Sequence, residues 1–302
     1  MRVLFFGLGG VGQRHLRNLK LLQPQAKIAA VRHFKQVFEV GNDLKADPGV
    51  NIEKKYDIQV LASLEEGLKF KPDFAVVANP SSLHVETVVS LVENGTPVFV
   101  EKPLVASNEG LLKLMNLTEK EQALVMVGYQ LRFHPCVIRL KELLDQKKVG
   151  LISSVEISIH SYMPSWHESE KPGAFYAGKS SLGGGVVLTE IHEIDILSWF
   201  FDSTKKVMAM GGTLGPYALD VEDTVGVILE CESGGRKFPV SLMMSFVQNP
   251  PTRRLVVNGA EGRLILELPR FTLTHVLSDG TIGECFQLPE NFDRNNRSEE
   301  RR

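Results

Sequence analysis

The 302-residue sequence predicts two domains: an α/β domain with a doubly wound parallel sheet, then an α+β domain with a mostly antiparallel open sheet. In the first half, short apolar runs alternate with segments of helical periodicity, a pattern typical of parallel strands joined by crossover helices. Beyond residue 150, strands with period-two alternation follow one another through glycine-containing turns, as in antiparallel hairpins. We place the domains at residues 1–128 and 129–302.

The start of the chain predicts a dinucleotide site. An apolar run at residues 3–6 leads into a G-x-G-x-x-G turn and then into a segment of helical spacing. Gly7 would permit the tight turn, Gly9 would let a pyrophosphate approach the backbone, and Gly12 would let the helix lie against the strand. The free N–H groups at the start of that helix would face the phosphates. The alternative is that the glycines form a turn with a structural role only. The predicted cofactor-binding residues of this Rossmann-type turn are Gly7, Gly9, Gly10, Val11 and Gly12.

The residues after the second predicted strand, Lys27–Val31, bear on the choice of cofactor. In NAD sites an acidic residue stands here and binds the ribose hydroxyls, whereas an arginine suits the 2′-phosphate of NADP. Arg32 and His33 occupy the place. Because the acid is absent and an arginine is present, the sequence favours NADP over NAD, with a solvated surface arginine as the alternative.

Polar residues follow two further predicted strands of the parallel sheet. Since ligands bind at the carboxyl ends of such strands, we expect Asn79 and Pro80 to contact the ribose and nicotinamide. His84 is either a further cofactor contact or a buried structural histidine. Glu101 and Lys102 follow the next strand and are further predicted cofactor contacts. A lysine whose pKa is lowered can also act as a general acid or base. The alternative for Lys102 is a lysine in a surface turn.

A long irregular loop in the second half carries aromatic candidates for substrate binding. Loops of this length in compact domains are usually functional or mobile. Trp166 and Tyr176 would offer flat faces to a sugar ring, or they would anchor the loop to the core.

A triple glycine opens a helix that the sequence predicts over residues 186–200. His192 and Asp195 are three residues apart and share a face of this helix. A carboxylate beside an imidazole fixes its tautomer, as a proton-relaying histidine requires; a core histidine paired with Asp195 is the alternative. No metal site is predicted, because the helix supplies no third ligand.

These motifs together resemble those of the Gfo/Idh/MocA oxidoreductase family, over nearly the whole chain. The resemblance rests on the glycine turn, Asn79-Pro80 with His84, Glu101-Lys102-Pro103, and Gly183–Gly185 followed by His192 and Asp195. It implies that Lys102 touches both cofactor and substrate and is the catalytic acid/base. It also implies that Gln130 and Arg132 lie in a hinge segment as candidate substrate ligands, with a structural role as the alternative for Arg132, and that the open sheet supports a homo-oligomer.

One residue departs from the family pattern. Family dehydrogenases commonly place an Asp three or four residues before the histidine, but here Thr189 stands there and Glu190 follows. Threonine can hydrogen-bond a sugar hydroxyl but carries no charge at neutral pH.

From the motifs and the family resemblance we expect an NAD(P)-dependent oxidoreductase acting on a sugar or sugar derivative, with Lys102 and His192 catalytic. The alternatives are a non-catalytic nucleotide-binding sensor and an NAD-dependent glycosidase.

Composition excludes several other classes. The formal net charge is −2 and no long basic run occurs, so we expect no nucleic-acid partner and no anionic membrane partner. No apolar stretch could span a bilayer and no signal peptide precedes the first strand, so we expect a cytoplasmic protein. Cys136, Cys231 and Cys285 show no C-x-x-C spacing, which argues against a disulfide framework and a zinc site.

Overall fold

The computed structural model describes residues 1–32, 37–41, 45–166 and 172–289, which form two compact units. The first unit takes the described residues of Met1–Gly128 together with Ser181–Gly183. The second takes those of Tyr129–Ser180 and those from Gly184 onward. Each unit has its own main sheet, and the first unit has a hydrophobic core on each face of its sheet while the second unit packs a separate core. None of the helices in the described part of the chain combines the length and the apolar character needed to cross a membrane.

Strands and helices alternate along the first unit. The elements are β1 (Arg2–Phe6), α1 (Gly10–Leu22), β2 (Lys27–Val31), β3 (Phe38–Val40), β4 (Ala46–Asn51), α2 (Ile52–Lys55), β5 (Ile58–Leu61), α3 (Leu64–Lys69), β6 (Phe74–Val77), α4 (His84–Glu93), β7 (Val98–Val100), α5 (Asn108–Glu121) and β8 (Val125–Val127). The main sheet has the order β5-β2-β1-β6-β7-β8, and its pairings are parallel. The strands β3 and β4 form a separate antiparallel pair.

Burial on both faces of the parallel sheet explains its apolar strands. Alternate residues of β1 enter different cores, Leu4 and Phe6 on one face and Val3 and Phe5 on the other. In the sheet β2 lies on one side of β1, and β6, which comes later in the chain, lies on the other side. The carboxyl ends of β1 and β6 therefore form the switch point at which doubly wound sheets bind ligands.

The second unit is built on one large open sheet. Its elements are α6 (Pro135–Asp145), β9 (Ile152–Tyr162), α7 (Val186–Thr189), α8 (His192–Phe200), β10 (Ser203–Gly212), β11 (Thr224–Ser233), β12 (Arg236–Ser245), β13 (Val247–Gly259), β14 (Gly262–Glu267), β15 (Thr272–Leu277) and β16 (Ile282–Gln287). The sheet has the order β10-β11-β12-β9-β13-β14-β15-β16. The β12–β9 pairing is parallel and the others between described strands are antiparallel, so the predicted fold class is confirmed for both parts of the chain.

Two parts of the second unit differ from the prediction. The helix expected over residues 186–200 is two helices, because the chain leaves helical geometry at Glu190. There the buried carboxylate of Glu190 accepts a hydrogen bond of 3.2 Å from Ser161 of β9. The period-two alternation predicts strands at 155–160, 224–230, 239–246, 254–257 and 263–267, and the structure adds β10, β15 and β16. Most of β10 is exposed on both faces, so it lacks the buried alternation by which a strand is identified.

Trp166 belongs to the core of the second unit. Its side chain is 5% exposed, and its ring lies edge-on to Phe246 at 5.1 Å and tilted against Phe175 at 5.9 Å. The expectation that Trp166 faces the substrate is therefore corrected: the ring anchors the loop. Aromatic rings bury more apolar surface than other side chains, which makes this anchor a large contribution to stability.

We predict that Trp166→Ala lowers the free energy of unfolding of the second unit by about 3–5 kcal/mol, because it leaves a cavity beside Phe246. Trp166→Phe keeps most of the packing and should cost less than half as much. Denaturant titration of both variants measures the difference. A Trp166→Ala variant as stable as the unmodified protein would contradict the anchoring role.

His134 caps the first turn of α6 and is held in its neutral form. Its Nδ1 accepts a hydrogen bond of 3.2 Å from the backbone N–H of Cys136, and its ring stacks on Phe271 at 5.8 Å. Burial, with a smaller effect of the nearby Arg253 charge, lowers the pKa of His134 from 6.5 to about 4. Protonation of the ring would therefore oppose folding.

We predict that His134 makes the second unit less stable as the pH falls from 6.5 toward 4. Its folded pKa lies below its unfolded value, so the unfolded state binds more protons in this window and stability is complete only above pH 6.5. The full effect is about 3 kcal/mol. His134→Asn keeps a capping side chain without a titrating ring, and its urea midpoint should fall less between these pH values. Equal pH dependence of the two proteins would contradict the assignment.

Candidate active site

Close backbone contacts explain the glycines that follow β1. Gly7 has φ +89°, and a β-carbon there would lie 2.5 Å from the carbonyl oxygen of Ala78. A β-carbon on Gly12 would lie 2.3 Å from the Gly7 carbonyl oxygen, so α1 can lie this close only with glycine. Gly9 has no atom within 4 Å of the place where a β-carbon would stand. The open side of the turn, followed by the first turn of α1 at Gly10, can therefore admit a phosphate.

Asn79 follows β6 at the same switch point and offers an acceptor. Its Nδ2 donates to Thr87 Oγ1 at 3.2 Å. Its Oδ1 is buried and has no hydrogen-bond partner among the described residues. A buried polar atom of this kind is costly unless a ligand or water supplies a donor, and a ribose hydroxyl would do so. The turn and Asn79 together fit a bound dinucleotide.

His84 is a structural histidine that joins two loops. It is 1% exposed, and its Nδ1 and Nε2 lie 2.7 Å and 2.9 Å from the carbonyl oxygens of Pro103 and Asn79. Burial lowers its pKa. These contacts support the structural alternative for His84. Pro80 lies directly before the short turn Ser81–Leu83, and its contact with the cofactor stays a prediction.

Glu101 and Lys102 follow β7. Glu101 forms a hydrogen bond with His15, which was not among the predicted site residues. The Oε1 of Glu101 lies 2.6 Å from His15 Nε2, and its Oε2 accepts from the backbone N–H of Lys102 at 3.2 Å. Burial alone would raise the pKa of Glu101, but the His15 hydrogen bond and the charges of His15 and Lys102 hold it below its ordinary value. His15 and Glu101 are 86 residues apart in the sequence, so no local spacing indicated their contact. The peptide bond between Lys102 and Pro103 is cis.

The tip of β2 carries an ion pair rather than a lone arginine. Arg32 Nη1 donates to the carboxylate of Glu53 at the start of α2. The other residue predicted here, His33, lies outside the described residues. Arg32 was predicted to bind the 2′-phosphate of NADP, and the structure places the Glu53 carboxylate directly beside it.

In the second unit, arginines bind the two carboxylates of α8. Both oxygens of Asp195 accept from Arg132, at 2.8 Å and 2.6 Å. Both oxygens of Glu193 accept from Arg253, at 2.6 Å and 3.0 Å, in a buried pair. The expectation that Asp195 orients His192 is therefore corrected, since the carboxylate is held by the guanidinium instead.

The remaining predicted substrate residues lie in different surroundings within this unit. His192 is buried, and the ring of Tyr129, a residue that the prediction did not include, meets it edge-on at 6.0 Å. Thr189 is buried at the end of α7, Gln130 is exposed, and Tyr176 is half-buried against the core. Their substrate roles stay predictions. Among the residues that the structure describes, no group of three His, Cys, Asp or Glu side chains is placed to hold a metal ion.

Comparisons with known proteins agree with this architecture. The profile of the Gfo/Idh/MocA oxidoreductase family with its NAD-binding Rossmann fold matches residues 1–129, and that of the Gfo/Idh/MocA C-terminal domain matches residues 137–265. An inositol 2-dehydrogenase/D-chiro-inositol 3-dehydrogenase of Shouchella clausii is 27% identical, over 88% of this chain and 78% of its own length. An inositol 2-dehydrogenase of Saccharopolyspora erythraea is 26% identical, over 78% of this chain and 64% of its own length.

Solved structures share the fold at lower identity. The WlbA dehydrogenase of Bordetella pertussis, in complex with NADH and UDP-GlcNAcA, has a TM-score of 0.76 at 19% identity, covering 97% of this chain and 83% of the WlbA chain. The apo scyllo-inositol dehydrogenase of Lactobacillus casei has a TM-score of 0.72 at 21% identity, covering 100% of this chain and 86% of its own. From its two matched domains and its fold, the chain belongs to the Gfo/Idh/MocA family of NAD-binding oxidoreductases.

Proposed function

We propose that the protein is an NAD(P)-dependent oxidoreductase that transfers a hydride between nicotinamide and a sugar or sugar derivative. The observation that carries the proposal is the switch point of the parallel sheet. There the open side of Gly9 and the unpartnered buried oxygen of Asn79 flank the carboxyl ends of β1 and β6. The substrate class is supported by the names of relatives, which include inositol dehydrogenases and a dehydrogenase bound to a sugar nucleotide.

In this proposal the chain supplies placement and proton transfer. When bound, the nicotinamide supplies the hydride donor or acceptor. The amine of Lys102 takes the proton from the reacting hydroxyl in the oxidation direction and returns it in reduction. Glu101, held by His15, fixes the backbone at the start of this segment through the Lys102 N–H. A fixed backbone limits the positions that the amine can reach, which favours a reactive geometry.

Residues of the second unit are proposed to bind the sugar. His192 orients or relays the proton, and Thr189 offers a neutral hydroxyl. Arg132 uses Nε and Nη2 for Asp195 and has a side chain that is 39% exposed, so its outer edge can donate to a hydroxyl. Gln130 and Tyr176 complete the proposed substrate set.

We predict that Lys102→Ala lowers kcat by about 10²- to 10⁴-fold, because the reacting hydroxyl loses its proton acceptor. NADH binding should change by less than about threefold, since the turn and Asn79 remain. Nicotinamide absorbance with a panel of inositols, sugars and sugar nucleotides measures turnover, and fluorescence titration measures binding. Lys113→Ala, an exposed lysine of α5, is the matched control and should leave both unchanged. An unchanged kcat in Lys102→Ala would remove this residue from the mechanism.

We also propose that the open sheet forms a homodimer. Met208 is paired with Ile228, and Met210 with Gly226, which in turn pairs with Met243. The apolar side chains of this group lie on one face, where Met208 is 75% and Met210 85% exposed. Adjacent exposed apolar side chains of this size indicate an interaction surface.

We predict that the double variant Met208→Asp/Met210→Asp is a monomer of about 33.6 kDa, whereas the unmodified protein has twice that mass. Charges on this face would have to be desolvated on association, which opposes it. Light scattering after size exclusion measures the mass. Leu21→Asp, at an exposed position of α1, is the control and should stay dimeric. A monomeric unmodified protein, or a dimeric double variant, would contradict this interface.

A further inference from the structure

Arg32 and Glu53 form an ion pair at the tip of β2, and the carboxylate is its more exposed member. The side chain of Arg32 is 8% exposed, whereas that of Glu53 is 26% exposed. The sequence therefore shows an arginine at the place that selects the cofactor, but of the two members of this described ion pair the acid is the more exposed. Among the described residues, no other hydrogen bond or ion pair engages Glu53 Oε2, so one carboxylate oxygen can still accept.

The position of Glu53 is set by contacts on both sides of it. Ile52 is fully buried in the core that also contains residues of β1 and β2. The side chain of Asn51 accepts from the backbone N–H of Glu53 at 3.0 Å and starts α2. Lys55, at the end of this helix, pairs with Glu39 of β3 at 2.7 Å. The carboxylate is thus supplied to the tip of β2 by a helix that is fixed at both ends.

In dinucleotide sites an acid at the end of the second strand binds the adenosine ribose hydroxyls, and it disfavours a 2′-phosphate by charge repulsion. In this chain the position after β2 is arginine, and the acid comes from 21 residues further along. We propose that Glu53 selects NAD(H) over NADP(H): Oε2 accepts from the ribose hydroxyls while Arg32 holds Oε1. This inference rests on the proposed function and names the cofactor that the site prefers.

The same pair argues against Arg32 as a phosphate ligand. A 2′-phosphate carries close to two negative charges at neutral pH, and it would lie beside the Glu53 carboxylate. Arg32 donates to Glu53 and its side chain is only 8% exposed, so a 2′-phosphate that reached the guanidinium would also lie close to the Glu53 carboxylate. NADP(H) binding therefore has to overcome this repulsion, whereas NAD(H) binding does not.

The test is the ratio of dissociation constants for NADH and NADPH, measured by fluorescence titration of the full chain without any sugar. The unmodified protein should bind NADH at least about tenfold more tightly than NADPH. Glu53→Gln removes the charge at nearly constant shape, so NADH should bind about fivefold to tenfold more weakly and NADPH more tightly, which shifts the ratio by tenfold or more. Glu53→Asp keeps the charge and should retain part of the preference for NADH.

Glu93→Gln is the matched control. It removes one exposed negative charge from α4, which forms no part of the Arg32–Glu53 pair or of α2, so it should leave the ratio unchanged. Thermal melting of each variant identifies a loss of folding, which would weaken both cofactors together. A preference for NADPH in the unmodified protein that Arg32→Ala abolishes would overturn the inference, and so would an unchanged ratio in Glu53→Gln. If neither cofactor binds the unmodified protein, the proposed function fails as well, which distinguishes the two failures.

Discussion

Backbone crowding at the centre of the parallel sheet is the constraint on which the first unit depends. A β-carbon on Gly7 or Gly12 would lie within 2.5 Å of a carbonyl oxygen, so α1 can begin directly at the ends of β1 and β6 only with glycine there. The same close approach leaves the Gly9 side open and places the free N–H groups of α1 toward it. His84 then joins the two loops that follow β6 and β7 by contacts to their carbonyl oxygens. The close approach of α1 to the ends of β1 and β6 therefore packs this part of the sheet and also leaves room for a cofactor beside Gly9.

The second unit depends on paired charges around α8. A buried carboxylate is costly unless a cation and further hydrogen bonds replace its water. Asp195 and Glu193 each meet this condition, because both oxygens of each carboxylate accept hydrogen bonds from one arginine. The hydrogen bonds from arginine give both carboxylates a structural role, and His192 is the other ionisable side chain of α8.

Local sequence patterns predicted the parts of the molecule that local forces determine. The glycine turn, the alternation around β1 and the two sheet types follow from steric limits and side-chain periodicity, and the structure confirms them. Contacts between distant residues were not predictable in this way. Arg32 was interpreted without Glu53, and Asp195 was assigned to His192 because only their spacing of three residues was visible. Trp166 was misplaced for a related reason, since an aromatic residue in a loop has the same local pattern whether its ring faces a ligand or the core.

The central claim is that this chain transfers a hydride between nicotinamide and a sugar-like substrate. The most direct measurement is to supply NADH carrying deuterium at both C4 positions together with candidate keto sugars and keto inositols, and to analyse the products by mass spectrometry. Hydride transfer predicts one carbon-bound deuterium per product molecule, in amounts equal to the NADH consumed and strongly reduced in Lys102→Ala. Tight binding of NADH with no deuterium in any product would contradict the account and indicate a nucleotide-binding protein without redox chemistry.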